Sequence, residues 1–193
     1  MTDFLTPTTE LDAINAILAS VGESPVTEVD GEFVDASLAL QMLTEESRRV
    51  QTMGWNFNEE IDVVLTPTVT GEIFVPQNTL RFLYPSDNTI VQRGLRLYDR
   101  AAHSYTGFTE SLTVNLIVGL PFDELPEALR LFLALRAGRR FQDRLQSDQV
   151  LHQIQAKDEM ASWAAFQNFE AEAGQYNVRD NLALLTRMKG GRG

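Results

Sequence analysis

Apolar residues recur along this chain with two different periods, and the change of period divides it into three stretches. Between residues 9 and 53 the period is helical. Thr9 followed by Asp12 is a capping signal, and Glu10 and Asp12 complement the dipole of a first turn. Leu11, Ile14, Ile17, Leu18 and Val21 then form one stripe, with Gly22 suited to a left-handed stop and Pro25 preventing resumption. A second helix is predicted from about Asp35 to Met53. Its stripe is Ala36, Leu40, Leu43, Val50 and Met53, interrupted by Ser47 and closed by Gly54.

From Trp55 to Val118 the period falls to two. Leu80, Phe82 and Tyr84 alternate with Arg81 and Leu83, and Leu112, Val114, Leu116 and Val118 alternate with Thr113, Asn115 and Ile117. Turn chemistry punctuates this stretch at Pro67–Gly71, Pro85–Asn88 and Ala101–Gly107. No gap has room for a crossover helix, so an antiparallel sheet or meander is expected. Helical spacing returns at Pro126, a good first helical residue with Glu127 beside it. Ala128–Leu135 is apolar nearly all round, and Gly138 in the interior suggests close approach of a neighbouring backbone. Ser147 and Asp148 can cap a last helix carrying Leu151, Ile154, Ala161, Ala165 and Phe169 and ending near Gly174.

The predicted class is therefore α+β: a helical bundle of two N-terminal and two C-terminal helices (9–53 and 126–173) with an inserted antiparallel β region (55–118). A single domain would cover 1–174. The remainder, 175–193, reads as an extended C-terminal arm with one apolar cluster, Leu182, Leu184 and Leu185.

Charge adds direction. Residues 1–60 hold twelve acids against Arg48 and Arg49, a net of −10, whereas the other 133 hold fifteen acids against fourteen bases. After Gly174, Arg179, Arg187, Lys189 and Arg192 face Asp180 alone. An acidic head and a basic tail disfavour a protein built to grip nucleic acid and permit tail-to-head contacts between copies, though ordinary solvated faces explain them equally well. No apolar run reaches the roughly 18–20 residues of a spanning helix, and Met1–Glu10 lacks the features of a signal peptide, so synthesis in a cytoplasm is expected.

Candidate chemistry is sparse. The chain has no cysteine, and its two histidines, His103 and His152, lie in unlike contexts with no His-x-x-x-His or Glu-x-x-His spacing. No phosphate-cradling glycine pattern or Gly-x-Ser-x-Gly elbow occurs, so neither metal nor organic cofactor is expected. Glu59 with Glu60 and Asp123 with Glu124 are the carboxylate pairs from which an acid and a base could be drawn. Arginine outnumbers lysine fourteen to two, and Arg136, Arg140 and Arg144 fall on one helical row flanked by Arg130 and Arg139. Two readings of that row stand: a subunit interface, where the planar guanidinium pairs bidentately, or pairing within the chain to acids such as Asp143 and Asp148. Trp55, Phe57, Trp163 and Phe166 are read as core residues.

The segment Leu11-Asp12-Ala13-Ile14-Asn15-Ala16-Ile17-Leu18-Ala19-Ser20-Val21-Gly22-Glu23-Ser24-Pro25-Val26 resembles the start of the tail tubular protein A family of short-tailed phages. So, in register, do Arg49-x-Gln51-x-x-Gly54-Trp55-Asn56-Phe57-Asn58, Tyr98-Asp99-Arg100, Leu125-Pro126-Glu127, Arg139-Arg140-Phe141 and Tyr176-Asn177. At Gly174-Gln175 the chain departs from the double glycine expected before the Tyr-Asn pair. The resemblance implies a virion protein without an active site: a dodecameric adaptor ring below the portal and above the tail nozzle, tail tubular protein B, forming a conduit for DNA ejection. It implies an arm that embraces the next subunit, and with the arginine row this makes Arg136, Arg139, Arg140, Arg144, Tyr176, Arg179, Leu182, Leu184, Leu185 and Arg187 the candidate subunit or portal interface. DNA would pass without specific binding, because twelve copies at −11 each present a lumen of like sign. The alternative, resting on the carboxylates alone, is a virion-associated carbohydrate-cleaving enzyme. A free DNA-binding accessory protein is a third reading, which the net charge disfavours.

Overall fold

The computed structural model describes residues 5–29, 33–84, 88–145 and 149–190, with backbone alone for 145, 149–151 and 175–190. Four helices and two antiparallel sheets make an α+β protein. The chain divides into a helical unit, Met1–Ser47 with Phe122–Gly193, and a β unit, Arg48–Pro121.

In the helical unit, α1 (Glu10–Ala19) begins with a full capping box: the Thr9 hydroxyl accepts from the Asp12 amide, and the Asp12 carboxylate accepts from the Thr9 amide. It ends in a Schellman turn. The Glu23 amide reaches the Leu18 carbonyl and the Gly22 amide reaches Ala19, with Gly22 at a φ of +82°. Ala13, Ile14, Ile17 and Leu18 are buried, and Leu11 and Val21 half-buried at the stripe's ends. The Asn15 side chain donates to the Val26 carbonyl and accepts from its amide, which fastens the following loop to the helix.

Helix α2 (Val34–Gln51) stops short of the predicted Met53. Its buried row is Ala36, Ala39, Met42, Leu43, Glu46, Ser47 and Val50, whereas Met53 is half-exposed. The sequence stripe passed over Glu46 because a carboxylate is rarely found at zero exposure. Helix α3 (Glu127–Leu145) packs against both α1 and α4 (Gln149–Gly190). Phe132, Trp163 and Phe166 stack at the α3–α4 contact, with ring centroids 4.7 and 5.6 Å apart. At Gly138 an added Cβ would lie 3.6 Å from Ser20 Oγ and 3.9 Å from Ile17 Cα, so α1 approaches to ordinary van der Waals contact there.

The last helix corrects the sequence reading most. It does not end near Gly174 but runs on to Gly190. Gly174 has no positive φ, and a glycine held at helical angles costs only about 1 kcal/mol against alanine. Good helix formers (Leu182, Ala183, Leu184, Leu185, Arg187) follow it. The proposed cap at Ser147 and Asp148 lies outside the described residues.

In the β unit, β1 (Glu59–Leu65), β5 (Leu112–Val118) and β2 (Thr79–Leu83) form one antiparallel sheet in the order β1-β5-β2. This is not a meander: the last strand in sequence takes the centre. It is also the most apolar, with Val114, Leu116, Ile117 and Val118 all buried. A bulge after Glu60 puts Asp62 at a φ of +56°, and its amide donates to the Asn115 side chain at 3.2 Å. A second sheet, β3 (Ile90–Arg93) with β4 (Arg96–Asp99), escaped the sequence reading. Its two-residue loop has positive φ at Gly94 only, the pattern of a type II′ turn, and a lone Gly between short arginine-flanked strands carries little signal. The core of this unit gathers Leu65, Ile73, Val75, Leu97, Val114, Leu116 and Val118.

Candidate functional site: the arginine face of helix α3

Arg130 opens α3 and is nearly buried. Its Nε donates to the Leu125 carbonyl at 2.8 Å and its guanidinium to the Thr8 and Asp123 carbonyls, so it ties the N-terminal segment to the helix start. Glu127 completes the clasp by accepting from the Thr8 amide and hydroxyl. Two turns on, Arg136 and Arg140 both grip Glu46 of α2, the former at 2.5 Å. Arg136 and Arg139 reach Glu159 of α4 at 3.4 and 2.5 Å, and Arg139 also meets Asp143 at 3.4 Å. Asp143 in turn holds His152 Nδ1 at 2.7 Å. The hydrogen bond that Arg139 donates to Glu159 raises the Arg139 pKa above its ordinary value.

Of the two readings left open, the geometry brings Arg136, Arg139 and Arg140 into ion pairs within the chain. Their chief partners are Glu46 and Glu159, which sequence proximity could not identify because they lie 90 and about 20 residues away. Asp148 lies outside the described residues. Arg144 is exposed. The side chains of Tyr176, Arg179, Leu182, Leu184, Leu185 and Arg187 lie outside the described residues, although their backbone belongs to α4.

The carboxylate pairs are less promising as chemistry. Glu59 and Glu60 are neighbours on β1 and so point to opposite faces, while Asp123 and Glu124 share one 3-10 turn. Carboxylates do meet across elements at Glu10 of α1 and Asp123. Burial, and then the Asp123 charge, raises the Glu10 pKa. His103 sits in an exposed loop at a φ of +54°. Among the described residues no cluster of three or more His, Asp or Glu could hold a metal, and no described helix is long and apolar enough to cross a membrane.

The blocks that carry the family resemblance have visible structural work. Asn58, buried in the β unit, accepts from the Trp55 amide and donates to the Gln51 and Val118 carbonyls. Gln51 pairs both ends of its amide with the Leu120 backbone, and Trp55 Nε1 donates to the Val50 carbonyl. Gly54, at a φ of +86°, leaves room where a Cβ would strike Ile117 at 2.9 Å. Asp99 Oδ1 accepts from the Ala101 and Ala102 amides and shapes the loop after β4. Phe141 is wholly buried.

Comparison with known proteins agrees with this. Residues 11–176 match the family model described as tail tubular protein. The chain is 32% identical over 126 residues to the tail tubular protein A of Klebsiella phage KP34, covering 65% of this chain and 67% of that one. Helix α1 from Leu11 onward, the Gln51–Asn58 joint and the arginine face of α3 fall within the matched span, and the chain belongs to the tail tubular protein family, as a structural protein of a phage tail.

Proposed function

We propose that this protein is one subunit of a dodecameric adaptor ring, seated in the virion tail below the portal and above the nozzle protein, tail tubular protein B. The family match over residues 11–176 is the observation that carries the reading. The ring is a conduit for DNA during ejection. It binds neither specific DNA sequence nor cofactor, performs no catalysis, and is made in the host cytoplasm before assembly. A net charge of −11 per chain supports a lumen that repels the DNA phosphates.

Residues 175–193 act in this reading as an arm toward the neighbouring subunit. With 42 residues α4 reaches about 63 Å, more than twice the roughly 28 Å of the 19-residue α3 beside it. Tyr176, Arg179, Leu182, Leu184, Leu185 and Arg187 supply the arm's contacts. Arg144 is an exposed interface residue, and Arg136, Arg139 and Arg140, each held by acids of its own chain, present their remaining N–H groups at the interface edge.

The test is to mix purified protein with purified portal, measure the mass of the complex by light scattering and count subunits in electron-microscope class averages. A co-migrating complex with twelve copies is expected. Failure to co-migrate, together with virion images placing another protein in that layer, would overturn the reading.

A further inference from the structure

The β3–β4 hairpin turns one side to the core and the other outward. Leu97 and Ile90 belong to the inner side, with Ile73 and Val75 of the segment beside it. Pairing sets Arg93 next to Arg96 on the outer side, where Tyr98 follows by alternation and Phe74 is bridged to Arg96. The Arg93 guanidinium lies 3.6 Å from the centre of the Tyr98 ring, Tyr98 meets Tyr105 edge-on at 4.8 Å, and Arg96 covers Tyr105 at 4.5 Å. Stacking holds each guanidinium in place and leaves its in-plane N–H groups open to an acceptor. Arg96 spends one of them on Glu72 at 2.8 Å, whereas Arg93 meets no carboxylate among the described residues. Phe74 and Leu95 beside them are exposed.

Strand β1, an outer strand of the first sheet, has the complementary character. Glu60 and Asp62 are exposed and meet no cation among the described residues, and the strand carries no base. Ile61 and Val64 keep 66% and 62% of their surface. Val64 alternates with Val63 and Leu65, which pack on the core, and the bulge after Glu60 adds the residue that keeps Ile61 on the same outer side.

We infer that β1 of one copy docks on the outer side of the β3–β4 hairpin of the next. Glu60 and Asp62 meet Arg93 and Arg96 there, while Ile61 and Val64 cover Phe74 and Leu95. The inference rests on the ring reading above for the presence of neighbouring copies. Three observations select a second copy as the occupant. The acids of β1 and the Arg93 cation each lack a charged partner within the chain, and their signs are opposite. The two surfaces lie on different strands, the condition for a heterologous contact that repeats from copy to copy. A net charge of −11 disfavours nucleic acid as the partner of the two arginines.

Charge reversal tests the contact. Assembly with portal is followed by light scattering for Glu60→Arg chains, for Arg93→Glu chains and for an equal mixture of both. Each variant alone is expected to assemble severalfold less than the parent. The mixture is expected to recover, because alternating copies restore opposite charges at every contact, and recovery shows that both variants fold. Variants that assemble as the parent does overturn the inference. The chain has no cysteine, so an engineered pair gives a second measurement. A size-tagged Ile61→Cys chain is mixed with Leu95→Cys chains under the same conditions and oxidised, beside a Val69→Cys control whose side chain is fully exposed elsewhere in the unit. A mixed disulfide at least fivefold above control is expected. One no stronger than the control overturns the inference, as does a bond that forms only within an Ile61→Cys/Leu95→Cys double variant. Duplex DNA retained by the parent and released by Arg93→Glu, with assembly unchanged, would give the hairpin to nucleic acid and overturn it too. Rings that form without the cross-link sink the contact alone, whereas the cross-link in particles other than rings sinks the ring reading and leaves the contact.

Discussion

Single residues in this protein answer to their immediate partners. Asp12 is the cleanest case, because the Thr9 hydroxyl and amide hold its carboxylate below the ordinary aspartate pKa. A depressed carboxylate contributes stability that is present above its unfolded pKa and lost as the pH falls through its folded value. Asp12→Asn is therefore expected to lower the melting temperature at pH 7 and to match the parent at pH 2. A difference that persists undiminished in acid would show that charge and hydrogen bonding at the cap are not the cause. Gln142 makes the opposite case. It is wholly buried in α3, and neither end of its amide has a partner among the described residues. Leaving such groups unmet costs about 1–3 kcal/mol, so Gln142→Leu is expected to raise stability by about 1 kcal/mol in urea titration. A loss instead would reveal a hydrogen bond made by that amide.

At the scale of elements, ion pairs join α2, α3 and α4 in addition to their apolar packing. The network is asymmetric: Glu46 has no exposure, while the Arg136 and Arg140 side chains keep 28% and 34% of theirs. Removing the arginines takes two charged partners from a buried carboxylate, whereas removing the acid leaves two part-exposed arginines that can turn to water. The double variant Arg136→Ala/Arg140→Ala should accordingly cost about 3–5 kcal/mol, and Glu46→Gln clearly less. Equal losses in denaturant titrations would contradict this account. The sequence displayed the arginine row, since residues four apart share a helical face. It could not display the partners, because pairing across helices depends on how they pack. The β5 strand teaches the same lesson: its apolar alternation was legible, but its central place follows from burial on both faces.

For the whole molecule the question is what the length of α4 is for. Deleting the chain after Gly174 removes sixteen helical residues through Gly190 and leaves the Phe132–Trp163–Phe166 contact intact. The truncated protein should keep a melting temperature within a few degrees of the parent yet assemble poorly with portal. A truncated protein that fails to fold would place those residues in the subunit's own core, and undiminished assembly would make them dispensable. Either result would defeat the arm. Burial of Leu182, Leu184 and Leu185 contributes about 1.5–3 kcal/mol each if complete. Because the helix is already formed, less backbone entropy remains to be lost on docking than for a disordered tail.

The sequence by itself determined the local elements: the capped first helix and its glycine stop, the helix opening at Pro126, and the alternation of β2 and β5. Each of these is set by interactions within a few residues, which a linear reading can see. The family too was legible, from blocks such as Leu11–Val26 and Gln51–Asn58 standing in order. The tertiary structure alone decided that Glu46 is buried and doubly paired, that β5 lies between β1 and β2, and that β3 and β4 form a hairpin of their own. At Gly174 the reason is local: good helix formers follow a glycine whose cost is only about 1 kcal/mol, so the helix runs through it. For the other three, a residue's burial and its distant partners depend on the packing of elements far apart in the chain, and a weak local preference, such as that of a buried carboxylate, yields to the surroundings that packing creates.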